Sequence, residues 1–166
     1  MPTLIRLDAG GFRIATDVWT TVEDGEDVPA GPVIVSAARF GSEADELLAG
    51  NRPVGVRLRP EEGAEALAYD LPRLSLVALE FPKFRDGRAL TSARLLRERY
   101  RFGGEIRAVG DVLREQAFFM VRCGFDAFVP ADGSTAEHWA RAAGRHRHVY
   151  QAAADGRPPA FVERGS

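Results

Sequence analysis

The sequence predicts an α/β protein with a mostly parallel five-stranded sheet, flanking helices and a preceding β-hairpin. From residue 33 onwards, short apolar runs alternate five times with segments of helical periodicity, which is typical of a parallel sheet covered by helices. Two alternating runs flank Gly10-Gly11, as in a hairpin. The chain has 166 residues, whereas a complete eight-fold barrel usually needs at least about 200. An open doubly wound sheet is therefore the first prediction, and a partial β/α-barrel-like sheet is the second.

The elements follow in order along the chain. The hairpin joins residues 5–9 to 12–15, and the acidic segment 23–32, rich in Gly and Pro, is predicted to be a loop. The predicted parallel strands are the apolar runs 33–36, 54–58, 74–81, 105–109 and 125–129. The predicted helices are 42–50, 61–69, 90–100, 110–123 and 134–150. Ser134 with Glu137 has the spacing of a capping box for the last helix.

One α/β domain is predicted over residues 1–154. It consists of the hairpin and acidic loop (1–32) and the repeated βα units (33–154), and residues 155–166 form a tail. No apolar run approaches the roughly 18 residues that a membrane span needs, and the N-terminus does not resemble a secretory signal. The single cysteine, Cys123, excludes an internal disulfide and an all-cysteine metal cluster. These observations favour a cytoplasmic protein that does not bind a membrane.

The charges are unevenly distributed, although the net charge is only −2. Residues 81–125 contain ten basic and five acidic side chains, so this segment is +5 and the remainder is −7. Such a segment can bind an anion or an acidic partner, or it can be an ordinary solvated surface. The pI of about 6.0 argues against nucleic acid as the partner.

Lys83 is the only lysine among 22 basic residues. It lies where the most hydrophobic strand passes into a loop, and right-handed crossovers place all such loops at one edge of the sheet. Asp111 follows the next strand and is expected at the same edge. Lysine can act as a base or nucleophile, and lysine and arginine can hold an oxyanion such as sulfite, sulfate, phosphate or carboxylate. The candidate catalytic residues are Lys83 and Asp111. The candidate ligand-binding residues are Arg85, Arg88, Arg39 and Arg114.

Each of these candidates also has a structural interpretation. Asp111 has the position of a helix N-cap, and Arg85 and Arg88 can be solvated loop charges. Cys123 falls on an apolar helical stripe, where a cysteine is usually a small buried hydrophobic residue. The three histidines lack the i, i+4 spacing of a helical zinc site, so no metal is predicted. No motif for NAD, flavin or ATP is present, and any cofactor is unknown.

Several segments together resemble a known bacterial family. They are Leu79-Glu80-Phe81-Pro82-Lys83-Phe84-Arg85-Asp86-Gly87-Arg88, Ala93-Arg94-Leu95-Leu96-Arg97-Glu98-Arg99-Tyr100, Gly104-Glu105-Ile106-Arg107-Ala108-Val109-Gly110-Asp111-Val112-Leu113-Arg114-Glu115-Gln116 and Phe119-Met120-Val121-Arg122-Cys123-Gly124-Phe125-Asp126-Ala127-Phe128. The chain resembles the DUF934 proteins, a family of unknown function, most densely over residues 76–130. The resemblance implies a role in assimilatory sulfite reduction, because members are described as probable oxidoreductases that accompany sulfite reductase.

Three functional hypotheses follow. Sulfite reductase itself needs sirohaem and an iron–sulfur cluster held by several cysteines, and this chain has one cysteine. The first hypothesis is therefore an accessory protein of sulfite reduction. It would bind a small oxyanion or an acidic redox partner, such as a sulfite or nitrite reductase or another sulfur-assimilation protein, through the Arg/Lys-rich strand ends. The alternative is a small cytoplasmic enzyme that uses Lys83 as base or nucleophile on an oxyanionic substrate. The third hypothesis is a purely structural interaction module that needs Arg85 and Arg88 to bind its partner.

Overall fold

The fold is a single curled sheet with helices between its parallel strands. The computed structural model describes residues 2–145 and 153–159. The strands are β1 (Leu4–Asp8), β2 (Gly11–Ala15), β3 (Thr20–Thr21), β4 (Val33–Ser36), β5 (Val54–Leu58), β6 (Leu76–Phe81), β7 (Glu105–Gly110) and β8 (Ala127–Phe128). The helices are α1 (Ala37–Ala49), α2 (Arg88–Arg94), α3 (Ala117–Cys123) and α4 (Ala136–Ala143). A π-helical turn, Leu95–Arg99, extends α2, and 3₁₀ turns occupy Ala64–Leu67, Leu71–Arg73 and Arg114–Gln116.

The strand order corrects the first prediction. The sheet has eight strands in the order β2-β1-β8-β7-β6-β5-β4-β3, not five. Strands β3 to β8 are parallel and follow one another in sequence, whereas a doubly wound sheet reverses its strand order at one point. The hairpin joins this sheet through antiparallel pairing of β1 with β8. The doubly wound prediction was wrong, and the partial barrel-like sheet, the second prediction, fits.

A short connection shows how strongly the sheet curls. Strands β2 and β3 lie at opposite edges, yet only residues 16–19 separate them. Five consecutive Cα–Cα steps can span at most about 19 Å, whereas the edges of a flat eight-stranded sheet would lie about 33 Å apart. The sheet is therefore a half-barrel, and residues 16–19 cross its concave face. There Trp19 packs against a small cluster formed by Ile34, Leu76 and Ala78.

The main core lies on the opposite face of the sheet. Because every crossover runs in the same direction, the right-handed rule places all the helices on that face. The strands supply alternate apolar residues, and the helices supply large side chains that are almost fully buried. The core includes Val33, Val35, Val54, Val56, Val77, Leu79, Ile106 and Phe128 from the strands, with Phe40, Leu96, Met120 and Trp139 from the helical segments.

Several helix boundaries differ from the sequence prediction. Helix α1 begins five residues early, because the Ser36 hydroxyl accepts the Arg39 N–H at 3.0 Å and caps it. The predicted helix 61–69 is replaced by 3₁₀ turns, and the helix predicted from Gly110 becomes regular only at Ala117.

The capping box of the last helix was misplaced by one residue. It is formed by Thr135 and His138. The Ser134 hydroxyl instead accepts the indole N–H of Trp139 at 2.8 Å. The C-terminal part of this predicted helix, with His146 and His148, lies outside the described residues.

Candidate functional site

The loops that follow β6 and β7 are in contact at the C-terminal edge of the parallel strands. The Phe84 N–H donates to Asp111 Oδ2 at 2.7 Å, and the Asp111 N–H donates to the Phe81 carbonyl at 2.7 Å. The Gln116 side-chain N–H donates to the Phe84 carbonyl at 2.6 Å. The loop that carries Lys83 is therefore fastened by two side chains from the segment after β7.

A glycine makes this contact geometrically feasible. Gly110 pairs with Phe81 in the sheet register and has a φ of 93°, which disfavours any residue with a side chain. A Cβ at this position would lie only 2.4 Å from the Phe81 carbonyl oxygen. The close approach lets the chain turn over the end of β6, so that Asp111 reaches the Lys83 loop.

The two candidate catalytic residues occupy different environments. Asp111 is half-buried and is not a helix N-cap, because the 3₁₀ turn starts only at Arg114 with Leu113 as its N-cap. Its carboxylate anchors the neighbouring loop through the Phe84 N–H. Lys83 is exposed, and no acid among residues 2–145 and 153–159 lies within ion-pair distance of its ammonium group.

Some of the candidate ligand-binding arginines have hydrogen-bond partners within the protein, and others do not. The Arg88 guanidinium contacts the Asp86 carboxylate at 2.6 Å, and this hydrogen bond lowers the pKa of Asp86. The Arg39 side chain is only 9% exposed and donates to Glu43 and to the carbonyls of Glu23 and Glu26. Arg39 thus fastens the acidic loop to α1. Arg85 is exposed, and its side chain has no hydrogen-bond or ion-pair partner within the part of the chain that the structure describes.

Arg114 lines a groove of about 460 Å³ between the 3₁₀ turn after β7 and helix α4. This groove, called the basic groove below, is lined by Arg114, Glu115, His138, Arg141, Ala142 and Arg145. Arg141 and Arg145 are exposed and form no ion pair with any described residue. Arg114 has a weak contact of 3.8 Å with Glu115. The described residues of the groove therefore supply three guanidinium groups and a single carboxylate.

His138 belongs to both the helix cap and the basic groove. Its Nδ1 accepts the Thr135 N–H at 3.2 Å, while the Thr135 hydroxyl accepts the His138 N–H at 3.3 Å. Because Nδ1 is the acceptor, the neutral ring carries its proton on Nε2. Nε2 is the ring nitrogen that remains to contact a ligand.

Sequence reasoning missed the contribution of α4 to this edge. The spacing of His138, Arg141 and Arg145 is i, i+3 and i+7, which places them on one helical face. A search for helical spacing among the charged residues, in addition to the apolar ones, would have identified these three side chains. Their proximity to Arg114 depends on the position of β8 beside β7 in the sheet, and no local sequence pattern shows that pairing.

A second group of charges lies on the concave face, near the crossing segment. Glu105 bridges two arginines, because its two oxygens accept from Arg6 and Arg107 at 2.7 Å each. Arg107 is 2% exposed and also donates to Asp17 at 2.9 Å. This network joins the crossing segment to the sheet, so its arginines already have internal partners.

Three further features bear on chemistry. Among the described residues, no cluster of three His, Cys, Asp or Glu side chains could hold a metal ion. Burial raises the pKa of the Cys123 thiol, which Arg94 only partly offsets, so the thiol is protonated at neutral pH. No described helix combines the length and apolar character needed to cross a bilayer.

Comparison with known proteins identifies a family. The family model described as a bacterial protein of unknown function, DUF934, matches residues 55–161. The match covers all of β5 except Val54, then β6 to β8 with the Lys83 loop, Asp111 and the basic groove, and it excludes Arg39. No curated protein matches the chain.

Proposed function

The chain belongs to the DUF934 family, and we propose that it is an accessory protein of assimilatory sulfite reduction. It binds an oxyanion or an acidic redox partner through the basic side chains at the C-terminal edge of the strands. The pathway comes from the family resemblance described above, while the binding role comes from the arrangement of charges in the fold.

The observation that carries the binding role is the exposed positive charge, without ion-pair partners, on the segments that follow β6 and β8. Lys83, Arg85, Arg141 and Arg145 are exposed, and none has an ion-pair partner within the described ranges. Gln116 ties the 3₁₀ turn that contains Arg114 to the loop that contains Lys83 and Arg85. Exposed like charges on one edge repel one another, and an anionic ligand relieves that repulsion.

The alternative of lysine catalysis has less structural support. A lysine that serves as base or nucleophile is usually activated by burial or by a neighbouring cation. Lys83 is exposed, and the carboxylate of Asp111 is engaged by a backbone N–H. These contacts favour a charge that attracts ligands over a reacting amine.

A growth experiment tests the proposed pathway. Deletion of the encoding gene should produce a strain that grows on sulfide or cysteine but not on sulfate or sulfite. Complementation with Lys83→Arg, which keeps the charge and removes the titratable amine, should restore growth on sulfate. Unimpaired growth of the deletion strain on sulfate would contradict the proposal, and failure of Lys83→Arg alone would favour lysine chemistry instead.

A further inference from the structure

The size of the basic groove distinguishes between the two ligands proposed above, which are a small oxyanion and an acidic redox partner. A water molecule accounts for about 30 Å³ in the liquid, and a four- or five-atom oxyanion for roughly two to three times that volume. The groove measures about 460 Å³, so one such ion would contact only a small part of its wall. Three guanidinium groups along one groove fit a ligand with several separated negative charges.

Five backbone donors in the segments that follow the strands are also already engaged. Sites for sulfate or phosphate commonly use free N–H groups at the start of a helix. Here the protein's own side chains accept five backbone N–H groups in the loops and first helical turns that follow the strands. The pairs are Arg39 N–H with Ser36, Phe84 N–H with Asp111, Arg88 N–H with Asp86, Ser134 N–H with Asp132, and His138 N–H with Thr135. A small oxyanion would find long arginine side chains here, but not these backbone N–H groups.

The lining of the groove argues against a nucleotide. Among the described residues that line it, Ala142 is the one apolar residue, and none is aromatic. Pockets for small organic ligands are lined mainly by apolar and aromatic groups, with a few polar ones. The described part of this wall therefore suits a ligand that is anionic along its length.

We infer that the basic groove docks an acidic segment of a partner protein, with carboxylates placed against Arg114, Arg141 and Arg145. This inference rests on the proposed function, in which the partner is an acidic redox protein, and it makes protein docking, rather than oxyanion capture, the task of this edge. Carboxylates bind arginine through paired N–H donors, and His138 adds one neutral donor. Glu115 limits how many carboxylates the groove accepts.

The test is a titration of the isotope-labelled full chain, followed by amide chemical shifts at fixed ionic strength. The probes are a short peptide of alternating Glu and Ala, sodium sulfite and sodium sulfate. The peptide should shift the amides of residues 114–116 and 138–145, and its affinity should fall as salt rises. Arg141→Glu/Arg145→Glu should weaken peptide binding by about tenfold or more.

A matched variant controls for net charge. Arg99→Glu/Arg101→Glu makes the same charge change before β7, at the opposite ends of the strands, and should keep the affinity within about twofold. Equal losses in both variants would overturn the inference, as would sulfite or sulfate shifting the groove amides at lower concentration than the peptide. No shift of these amides by the peptide would overturn it as well.

The growth experiment keeps the two claims apart. If the deletion strain grows on sulfate, the proposed role in sulfite reduction is contradicted. The peptide titration then still decides what the groove binds. If the deletion strain needs sulfide but Arg141→Glu/Arg145→Glu fully restores its growth on sulfate, the proposed role in sulfite reduction is supported. The inferred docking role of the basic groove is then contradicted.

Discussion

Arg97, before β7, and the pair Arg141 and Arg145, in and just after α4, have opposite roles. Arg97 donates to the carbonyls of Phe102, Gly104 and Gly124 and to the Asp126 carboxylate. Arg141 and Arg145 are exposed, and neither pairs with any described acid. The same residue type therefore fastens the scaffold in one place and leaves positive charge open to ligands in another.

The internal partners explain this difference. The carbonyls that Arg97 reaches lie where the chain enters β7 and β8, and a planar guanidinium can satisfy several acceptors at once. Arg97 lies in the π-helical turn Leu95–Arg99, and such turns often mark a special side-chain position. At the opposite edge, Asp86 and Asp111 are occupied by Arg88 and by the Phe84 N–H.

The largest expected effect comes from removing Arg97. Arg97→Ala leaves three carbonyls and one carboxylate without their donor, and we expect a loss of about 3 kcal/mol in the free energy of unfolding. Urea denaturation measures this loss. Arg94→Ala, which removes only an exposed pair with Glu98, should cost no more than about 0.5 kcal/mol. Equal losses in the free energy of unfolding would contradict the distinction between arginines that stabilise the fold and arginines that are exposed.

A somewhat smaller effect is expected at Gly110. Gly110→Ala forces a side chain into a positive-φ backbone and against the Phe81 carbonyl, at a cost of about 2–3 kcal/mol. Gly133→Ala is the matched control, because Gly133 also has positive φ (67°) but has open space around its Cβ position. Its cost should be only about 1 kcal/mol. Thermal unfolding of both variants makes the comparison, and equal costs would show that close packing on β6 is unimportant.

Removing the anchor of the Lys83 loop should have a moderate, local effect. Asp111→Ala leaves the Phe84 N–H without its acceptor, at a cost of about 1–2 kcal/mol. Amide exchange at Phe84 should become faster, while exchange within β6 stays slow. Asp111→Asn retains an acceptor oxygen and should recover most of the protection. Unchanged exchange at Phe84 in the alanine variant would contradict an anchoring role for Asp111.

The sequence predicted the individual strands better than their arrangement. Apolar runs placed the strands at 33–36 and 54–58 correctly, because buried parallel strands are continuous hydrophobic segments. The doubly wound strand order was wrong because the sequence of a connection does not show on which side of the preceding strand the next strand pairs. Strand β3 was missed because it is two exposed threonines, whose strand geometry depends on pairing with β4.

The candidate site was also only partly predictable. The contact between the Lys83 loop and Asp111 follows from topology alone, since both loops leave parallel neighbours at the same edge. The burial of Arg39 was not foreseeable, because its partners are mainly backbone carbonyls of the distant acidic loop. Carbonyl acceptors have no sequence signature, so fastened and open arginines cannot be distinguished before the fold is known.

The smallest expected change tests the central claim most directly. If Arg141 and Arg145 serve binding and not the scaffold, Arg141→Ala/Arg145→Ala should unfold within about 0.5 kcal/mol of the unsubstituted protein in urea. A loss of about 2 kcal/mol or more would show that these side chains stabilise the fold, and would contradict the account of this edge as an open binding surface.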